Sequence, residues 1–382
     1  MGDGTGINWT NATWNPVLGC SRISEGCRNC YAERQAGSGR LLQFEAYQGL
    51  TRPTDKGPKW TGEVRLIPER LDQPLRWSKH RMIFVNSMSD LFHESVPFET
   101  IAVIFAVMAS APRHTFQVLT KRAHRMVEFF AWLDGQVEGA VERYLNGEVM
   151  REARAARQAV GMSEPPPPTP TLRGLYDLAA PAYEEHSAAL EKPLSNLAQR
   201  HWQSWPLPNV WLGVSVEDQA AADERIPLLL QTPARVRWIS AEPLLGPVTL
   251  NYLHYNGEVE IDALNGTHGI IRPHGGENAR LDWVVVGGES GQGARPMHPD
   301  WARSLRDQRV GAGVAYFFKQ WGEWAPLDMA PDGVTYRVTA MTPDGRTFNP
   351  FNAGVQGTPL ARIGKQHAGR LLDGVLWDQY PA

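Results

Sequence analysis

The chain has few cysteines and no long hydrophobic segment. Only three cysteines occur among its 382 residues, and no run approaches the roughly 18 uninterrupted apolar residues that a helix needs to cross a bilayer. The first residues, MGDGTGINWT, contain neither the basic nor the apolar part of a secretory signal. These features predict a cytoplasmic protein without a membrane partner. Thiols stay reduced there, so we expect the cysteines to be ligands or catalysts and not disulfides.

Several motifs of common enzymes are also missing. The chain contains no P-loop, no G-x-S-x-G sequence and no H-E-x-x-H sequence, which leaves kinase and hydrolase chemistry without support. Hydrophobic residues make up 42% of the chain and charged residues 21%, with a net charge of −3. This composition is typical of a globular protein with a full hydrophobic core. The near-neutral charge predicts no strong nonspecific binding to nucleic acid.

Short apolar runs rich in β-forming residues recur along the chain, and each run ends in polar residues. Near-continuous apolar strands are typical of a parallel sheet that is buried on both faces. Helical stretches separate several of the runs, as expected for βαβ units. We therefore predict an α/β fold, a partial TIM-like βα barrel whose active site lies at the carboxyl-terminal ends of its strands. The runs comprise residues 81–90, 114–122, 209–218, 235–243, 281–291 and 314–324.

All cysteines lie in one short loop, GCSRISEGCRNCYAE, which we call the cysteine loop (Gly19–Glu33). Its C-x6-C-x2-C spacing allows the thiolates to hold one metal centre. A four-iron four-sulfur cluster on three thiolates keeps one iron open for a small molecule. A Cys3His zinc site, closed by His80 or His93, and thiols without any metal are the alternatives. The candidate metal ligands are Cys20, Cys27 and Cys30.

Two segments interrupt the strand pattern. Residues 135–205 contain helix-like sequence on both sides of EPPPPTPT, and four consecutive prolines cannot lie inside a helix. We predict a helical insertion with a proline hinge, which serves as a lid or as a peripheral decoration. Residues 251–280 are rich in glycine and predict a loop or hairpin. The barrel then comprises residues 1–134, with the cysteine loop, and residues 206–325, and residues 326–382 form a carboxyl-terminal extension.

The cysteine loop near the start of a βα barrel resembles the cluster-binding loop of radical S-adenosylmethionine enzymes, whose usual spacing is C-x3-C-x2-C. More closely, the chain is similar to a phage-type three-cysteine family, found in phage and prophage genomes and described only as of unknown function. The similarity covers most of the chain outside residues 135–205 and 251–280. The sequences that carry it are TWNPVLGCSRISEGCRNCYAE, FVNSMSDLFHE, QVLTKR, WLGVSVEDQ, WISAEPLLGP, VVVGGESGQGARPMHPDWARSLRDQ and FFKQWGEW.

The resemblance implies two cofactors and a reaction. The three thiolates would hold a four-iron four-sulfur (4Fe-4S) cluster, and S-adenosylmethionine would bind at the open iron. An external reductant would supply the electron that cleaves this cofactor to methionine and a 5′-deoxyadenosyl radical. Polar groups at the strand ends would bind the rest of the cofactor, and the candidates are Ser87, Ser89, Asp90, Lys121, Glu217, Glu242, Gly287, Gly288 and Glu289. The candidate catalytic residues are Lys319 and Trp321.

We expect the acids among these candidates to contribute to cofactor binding and not to the stability of the fold. An acid that pairs only with water adds little to folding. Replacing any one of them by alanine is therefore expected to weaken cofactor binding and to leave the fold intact. The acids are Asp90, Glu217, Glu242 and Glu289.

The segment after the cysteine loop bears on the substrate. Residues 34–81 contain ten Lys or Arg and five Asp or Glu, with aromatic residues among them. Together with the phage-type resemblance, this surplus favours DNA or a nucleotide as the substrate, in base modification or lesion repair. A solvated surface is the other interpretation of the charge.

Two alternative functions stay open beside the radical enzyme. One is a zinc- or cluster-stabilised nucleic-acid-binding protein without radical catalysis. The other is a cluster enzyme that does not use S-adenosylmethionine.

Overall fold

Seven parallel strands form the main sheet, and their order in the sheet is their order along the chain. The fold is therefore α/β with a half-barrel sheet, as a partial βα barrel requires. The strands are β1 (Ala12–Trp14), β2 (Met82–Val85), β3 (Thr115–Thr120), β4 (Val210–Ser215), β5 (Val236–Ala241), β6 (Trp283–Gly287) and β7 (Ala315–Gln320). The computed structural model describes residues 5–146, 206–255, 259–268, 279–351 and 356–382.

Helices connect the strands of the main sheet. One helix lies between β2 and β3, another follows β3, and two more join β4 to β5 and β6 to β7. The helix after β4 begins at Gln219, and the Asp218 side chain caps it by accepting a hydrogen bond from the Ala221 N–H at 2.9 Å. The helices are α1 (Tyr31–Ala36), α2 (Gly39–Leu42), α3 (Gln73–Arg76), α4 (Phe98–Ser110), α5 (Ala123–Asn146), α6 (Gln219–Leu230), α7 (Pro299–Ala312) and α8 (Lys365–Ala368).

Helix α5 extends into the predicted insertion, since it ends at Asn146. The rest of that insertion, residues 147–205 with the proline hinge, lies outside the described residues. Among the described residues, none of the helices combines the length and the hydrophobicity of a membrane span.

The two faces of the main sheet are buried by different partners. One face packs against the helices in a large cluster of mostly aliphatic side chains. Consecutive residues alternate between the faces, so Val284 and Val286 contact the helix side and Val285 the opposite side. Gly213 on β4 makes room there, because a Cβ atom would lie 2.5 Å from the Trp238 ring. The cluster on this second face consists of Trp9, Phe84, Trp238, Trp283, Val285 and Phe317.

The carboxyl-terminal extension covers one edge of the main sheet. The N–H of Phe318 donates to the Trp377 carbonyl at 2.9 Å, and the N–H of Gln379 donates to the Tyr316 carbonyl at 3.1 Å. These bonds protect the outer edge of β7, which would otherwise expose backbone groups to other chains. The extension forms a hairpin of Leu371–Leu372 and Val375–Leu376 and supplies three strands of a four-stranded sheet whose first strand begins just before it: Trp324–Pro326, Thr358–Arg362, Val338–Met341 and Thr347–Phe348.

Smaller elements complete the described chain. The segment predicted as a loop or hairpin contains a three-stranded antiparallel sheet, formed by Leu253–Tyr255, Val259–Asp262 and Thr267–His268. Two short antiparallel strand pairs surround the cysteine loop in sequence: Val17–Leu18, directly before the loop, pairs with Arg65–Leu66, and Thr51–Arg52 pairs with Lys59–Trp60 between the loop and α3. Single 3-10 turns occur at Glu25–Cys27, Glu45–Tyr47, Pro68–Arg70 and Leu327–Met329.

Candidate functional site

Polar residues that follow the strands of the main sheet line one large cavity. Its volume is about 1780 Å³. Because the strands run parallel, their carboxyl-terminal ends meet at one edge of the sheet, where βα barrels place functional groups. The cysteine loop forms a further part of the wall. The predicted site residues that line the cavity are Cys20, Cys27, Cys30, Ser87, Ser89, Asp90, Lys121, Glu242, Gly288, Glu289 and Lys319.

Three predicted site residues do not line this cavity. Glu217 is buried in contacts with the cysteine loop, described below. At Gly287 a Cβ atom would lie 2.8 Å from the Glu242 side chain, so this glycine makes room for Glu242. The Trp321 indole is 2% exposed and donates a hydrogen bond to the Leu371 carbonyl at 2.8 Å. It belongs to the hydrophobic core, and its ring is not part of the cavity wall.

The cysteine loop presents three separate thiols to the cavity. The first position of the loop, Gly19, requires glycine, because its φ is +89° and a Cβ atom there would lie 2.1 Å from the Glu63 carbonyl oxygen. A 3-10 turn, Glu25–Cys27, lies in the middle of the loop, and Cys30 immediately precedes α1. All three cysteines are free and half-buried.

Asp90, which follows β2, fixes the first part of the cysteine loop through Arg122. The buried Asp90 carboxylate accepts hydrogen bonds from Thr120 Oγ1 at 2.7 Å and from Arg122 Nη1 at 3.2 Å. Arg122 in turn donates to Ser21 Oγ at 2.8 Å and contacts Cys20 Sγ at 3.8 Å. The carboxylate therefore orients a guanidinium that holds the first thiol in place.

The surroundings of Cys20 and Cys30 favour the neutral form of these two thiols. Burial and then the Asp90 carboxylate raise the pKa of Cys20 to about 12, although Arg122 acts in the opposite direction. Burial also raises the pKa of Cys30. Both thiols are protonated at neutral pH in the metal-free chain, and a bound metal would have to displace these protons.

Glu217, which follows β4, fixes the middle of the loop. Its carboxylate accepts a hydrogen bond from Ser24 Oγ at 2.9 Å and pairs with Lys121 and with Arg225 Nη1, the latter at 2.7 Å. Gly26 of the loop packs directly on this carboxylate, because a Cβ atom would lie 2.2 Å from Oε1. Burial would raise the pKa of Glu217, but the two cations outweigh it and hold the pKa at about 2.

Glu289, which follows β6, fixes the last part of the loop. Its carboxylate accepts hydrogen bonds from Asn29 Nδ2 at 2.9 Å and from Arg295 Nη2 at 2.7 Å. Arg295 also donates to the Glu25 carbonyl at 3.0 Å. Burial opposes ionisation of Glu289, but the bonds from Arg295 and Asn29 prevail and lower its pKa. Three acids from three strand ends thus hold the three parts of the cysteine loop.

These contacts change the expected effect of removing the acids. Removing one partner of a buried ion pair costs about 3–5 kcal/mol, because the other charge stays buried without compensation. Alanine at Glu217 should therefore destabilise the fold, contrary to the expectation from the sequence. Alanine at Asp90 or Glu289 should cost less, because Arg122 keeps its pair with Glu94 at 2.8 Å and Arg295 is 23% exposed. No sequence signal identified the residues that these acids contact directly or, for Ser21, through Arg122. Arg225 and Arg295 lie within eight residues of their acids, but the others lie far away in the chain: Ser21, Ser24, Asn29 and Arg122.

Glu242 is the predicted acid that keeps a cavity-facing position without contacting the cysteine loop. Its Oε1 pairs with Lys319 Nζ at 2.7 Å, and both side chains are partly exposed. Lys365 of the carboxyl-terminal extension also lines this part of the cavity and was not predicted. At Gly288 a Cβ atom would lie 1.8 Å from the Trp321 carbonyl oxygen, so this glycine permits a close backbone approach.

The residues after β2 include a further member of the site. Asn86 is buried, lines the cavity and has a φ of +58°, a conformation that costs energy for a residue other than glycine. Its Oδ1 accepts a hydrogen bond from the Val17 N–H at 3.3 Å, which ties β2 to the start of the cysteine loop. Ser89 Oγ donates to the Val17 carbonyl at 2.9 Å, and Ser87 Oγ donates to Asn15 Oδ1 at 3.2 Å.

The donor set fits an iron–sulfur cluster. Three free thiols of one loop line one cavity, and thiolates of a four-iron cluster bind different iron atoms, so they need not meet at one point. No group of three or more His, Cys, Asp or Glu side chains within the described ranges forms a ready site for a single metal ion. Of the two histidines considered for zinc, His93 reaches the loop, with Nε2 at 2.8 Å from Ser21 Oγ, but neither His93 nor His80 lines the cavity.

Residues 4–381 match the model of a family described as "Protein of unknown function (DUF5131)". The chain belongs to this family. The matched region includes the cysteine loop, all seven strands of the main sheet and nearly all of the carboxyl-terminal extension. No curated protein and no solved structure matches the chain. The family description names no activity, so the function must be argued from the site.

Proposed function

We propose that this protein is a radical S-adenosylmethionine enzyme on a partial TIM-like barrel, with residues 135–205 as a helical insertion. Cys20, Cys27 and Cys30 hold a 4Fe-4S cluster. One observation carries the proposal: three free thiols, on a loop held by three buried acids, line the cavity at the carboxyl-terminal edge of a parallel sheet. When bound, the cluster and an external reductant supply the reductive cleavage of S-adenosylmethionine.

The chain's own residues hold the loop and bind the rest of the cofactor. Asp90, Glu217 and Glu289 keep the thiols in position, so the loop loses less conformational entropy when the cluster binds. Ser87 and Ser89 supply hydroxyl groups beside the loop, and Glu242 supplies a carboxylate that suits an amino group or ribose hydroxyls. Cofactor binding in this proposal therefore uses fewer acids than the sequence suggested.

The charge of the cavity wall supports a nucleic-acid or nucleotide substrate. Eight Lys or Arg residues line the cavity against five Asp or Glu residues, although the whole chain has a net charge of −3. Aromatic residues of the 34–81 segment, such as Phe44 and Trp60, belong to the same wall and suit stacking on bases. We propose modification or repair of a base as the reaction, in the cytoplasm.

Metal analysis tests the cluster directly. Protein purified without oxygen should contain iron and sulfide and show the broad visible absorption of an iron–sulfur cluster, and Cys27→Ala should lose all three signals. The variant should remain folded, because Cys27 is only half-buried. Reconstituted wild type with about one zinc and no iron would contradict the proposal.

The position of His93 supports a second candidate function, that of a zinc-stabilised nucleic-acid-binding protein. This histidine lies 2.8 Å from Ser21, next to Cys20, and could complete a Cys3His set after a small movement of the loop. In that case His93→Gln should release zinc as completely as Cys27→Ala does. If the wild type holds iron and His93→Gln keeps it, the zinc candidate is wrong.

A further inference from the structure

Strand β7 ends in an irregularity that brings two consecutive side chains to the cavity. Val286 of β6 lies opposite Phe318, but Gly287 lies opposite Gln320, so Lys319 is an extra residue in β7. In a regular strand consecutive side chains point to opposite faces, and a bulge of this kind redirects one of them. Lys319 and Gln320 accordingly both line the cavity.

The same part of the cavity has more positive than negative charge. Lys319 Nζ pairs with Glu242 at 2.7 Å. Lys365, which the carboxyl-terminal extension brings to the same wall, has no carboxylate within ion-pair distance in the described part of the chain. Its pKa is lowered by partial burial of the ammonium group and then by Lys319. Glu242 and Glu323 act on Lys365 in the opposite direction from beyond ion-pair distance. Within that distance the two ammonium groups have one carboxylate, Glu242, and a bound anion would relieve their repulsion.

Gln320 adds an unsatisfied acceptor beside these lysines. Its side chain is 5% exposed, and its Nε2 donates to Ser290 Oγ at 2.8 Å. Its Oε1 is buried and has no hydrogen-bond partner among the residues described. A buried polar atom without a partner costs about 1–3 kcal/mol, so a ligand that donates a hydrogen bond here would recover that cost.

We propose that Lys319, Lys365 and Gln320 form a subsite for a phosphate-bearing ligand. The two ammonium groups bind phosphate oxygens, since lysine binds phosphate as a point charge. Glu242 keeps Lys319 in position, and Gln320 Oε1 accepts a hydrogen bond from a neighbouring hydroxyl or amino group of the ligand. The inference deepens the proposed function by naming the substrate class of the same cavity, but binding at this subsite does not require the cluster.

Calorimetric titration of the full chain tests the subsite. The probes are inorganic phosphate, adenosine 5′-monophosphate, adenosine and a short single-stranded DNA. We expect the mononucleotide to bind at least about tenfold more tightly than the nucleoside, because only the former uses both lysines. Lys365→Met should weaken binding of the mononucleotide about tenfold, and Lys365→Arg should retain most of it.

Lys79→Met is the matched control, since it removes the same charge from an exposed residue that does not line the cavity. It should leave the affinity unchanged. Binding of the mononucleotide and of inorganic phosphate identifies a small phosphate ester as the ligand. Binding of DNA alone, weakened by Lys365→Met and by added salt, identifies nucleic acid. Detectable but equal affinities for nucleotide and nucleoside, no binding of any phosphate probe, or equal effects of the two methionine variants would overturn the proposal.

The same titration with Cys27→Ala separates this inference from the proposed function. If phosphate binding persists without iron, the subsite is independent of the cluster, as we infer. A wild type that loads iron and cleaves S-adenosylmethionine but binds no phosphate probe refutes the subsite alone. A protein that binds phosphate but no iron refutes the cluster alone.

Discussion

Replacing Glu217 by glutamine should both weaken the contacts that hold the cysteine loop and destabilise the fold. Glutamine has nearly the shape of glutamate but removes the charge that pairs with Arg225 and Lys121 and that accepts a hydrogen bond from Ser24. Arg225 is 4% exposed, so its guanidinium cannot turn to water when the carboxylate is lost. The variant should therefore lose metal-binding capacity as well as stability.

The size of the effect follows from burial and from the pKa. Breaking a buried pair costs about 3–5 kcal/mol. The pKa of Glu217 is lowered from 4.5 to about 2, so ionised Glu217 contributes up to about 3 kcal/mol to stability above pH ~4.5, and this contribution disappears as the pH falls towards 2. The free energy of unfolding at pH 7 should thus fall by about 3 kcal/mol in Glu217→Gln.

Urea unfolding at several pH values measures this effect, and iron content after reconstitution measures the effect on the loop. Glu224→Gln is the matched control, because Glu224 also contacts Arg225, at 3.7 Å, but is 52% exposed. An exposed pair contributes about 0–1 kcal/mol, so the control should stay close to wild type and keep its iron. The difference between Glu217→Gln and wild type should shrink as the pH falls from 4.5 towards 2. A cost no larger than that of Glu224→Gln, or one independent of pH, would refute the reasoning.

Two further substitutions test separate parts of the site. Gly26→Ala places a Cβ atom 2.2 Å from Glu217 Oε1 and should displace the loop, so the iron content should fall. The control Gly39→Ala has open space around the new Cβ atom and should keep the iron content of the wild type. Equal iron content in the two variants would contradict the packing argument. Trp321→Phe loses the hydrogen bond to the Leu371 carbonyl and should lower the free energy of unfolding by about 1 kcal/mol. The rate of S-adenosylmethionine cleavage should not change. A slower cleavage rate in a fully folded variant would show that Trp321 acts in the cavity.

The sequence predicted the main strands well because their environment is uniform. Strands β2 to β7 are buried on both faces, and their apolar runs reflect that burial directly. The remaining strand, β1, has three residues and forms no comparable run. The edge protection of β7 by Trp377 and Gln379 depends on how the extension folds back, and local sequence carries no signal for it.

The site was predictable as a location but not as a set of contacts. Polar residues at parallel strand ends must share one edge, and most of the predicted residues do line the cavity there. Whether an acid faces a ligand or the protein depends on partners far away in the chain, as Glu289 and Asn29 illustrate. Asn86 shows its role only through its positive φ, and Lys365 enters through the folding of the extension.

The most direct test of the proposed function is the formation of 5′-deoxyadenosine. Reconstituted protein, given dithionite and S-adenosylmethionine without oxygen, should produce 5′-deoxyadenosine and methionine slowly on its own and faster with the right nucleotide or DNA. Cys27→Ala should produce neither compound. If the wild type forms an iron-loaded, reducible cluster and still produces no 5′-deoxyadenosine in any preparation, the radical chemistry is wrong and the protein is an iron–sulfur protein of another kind.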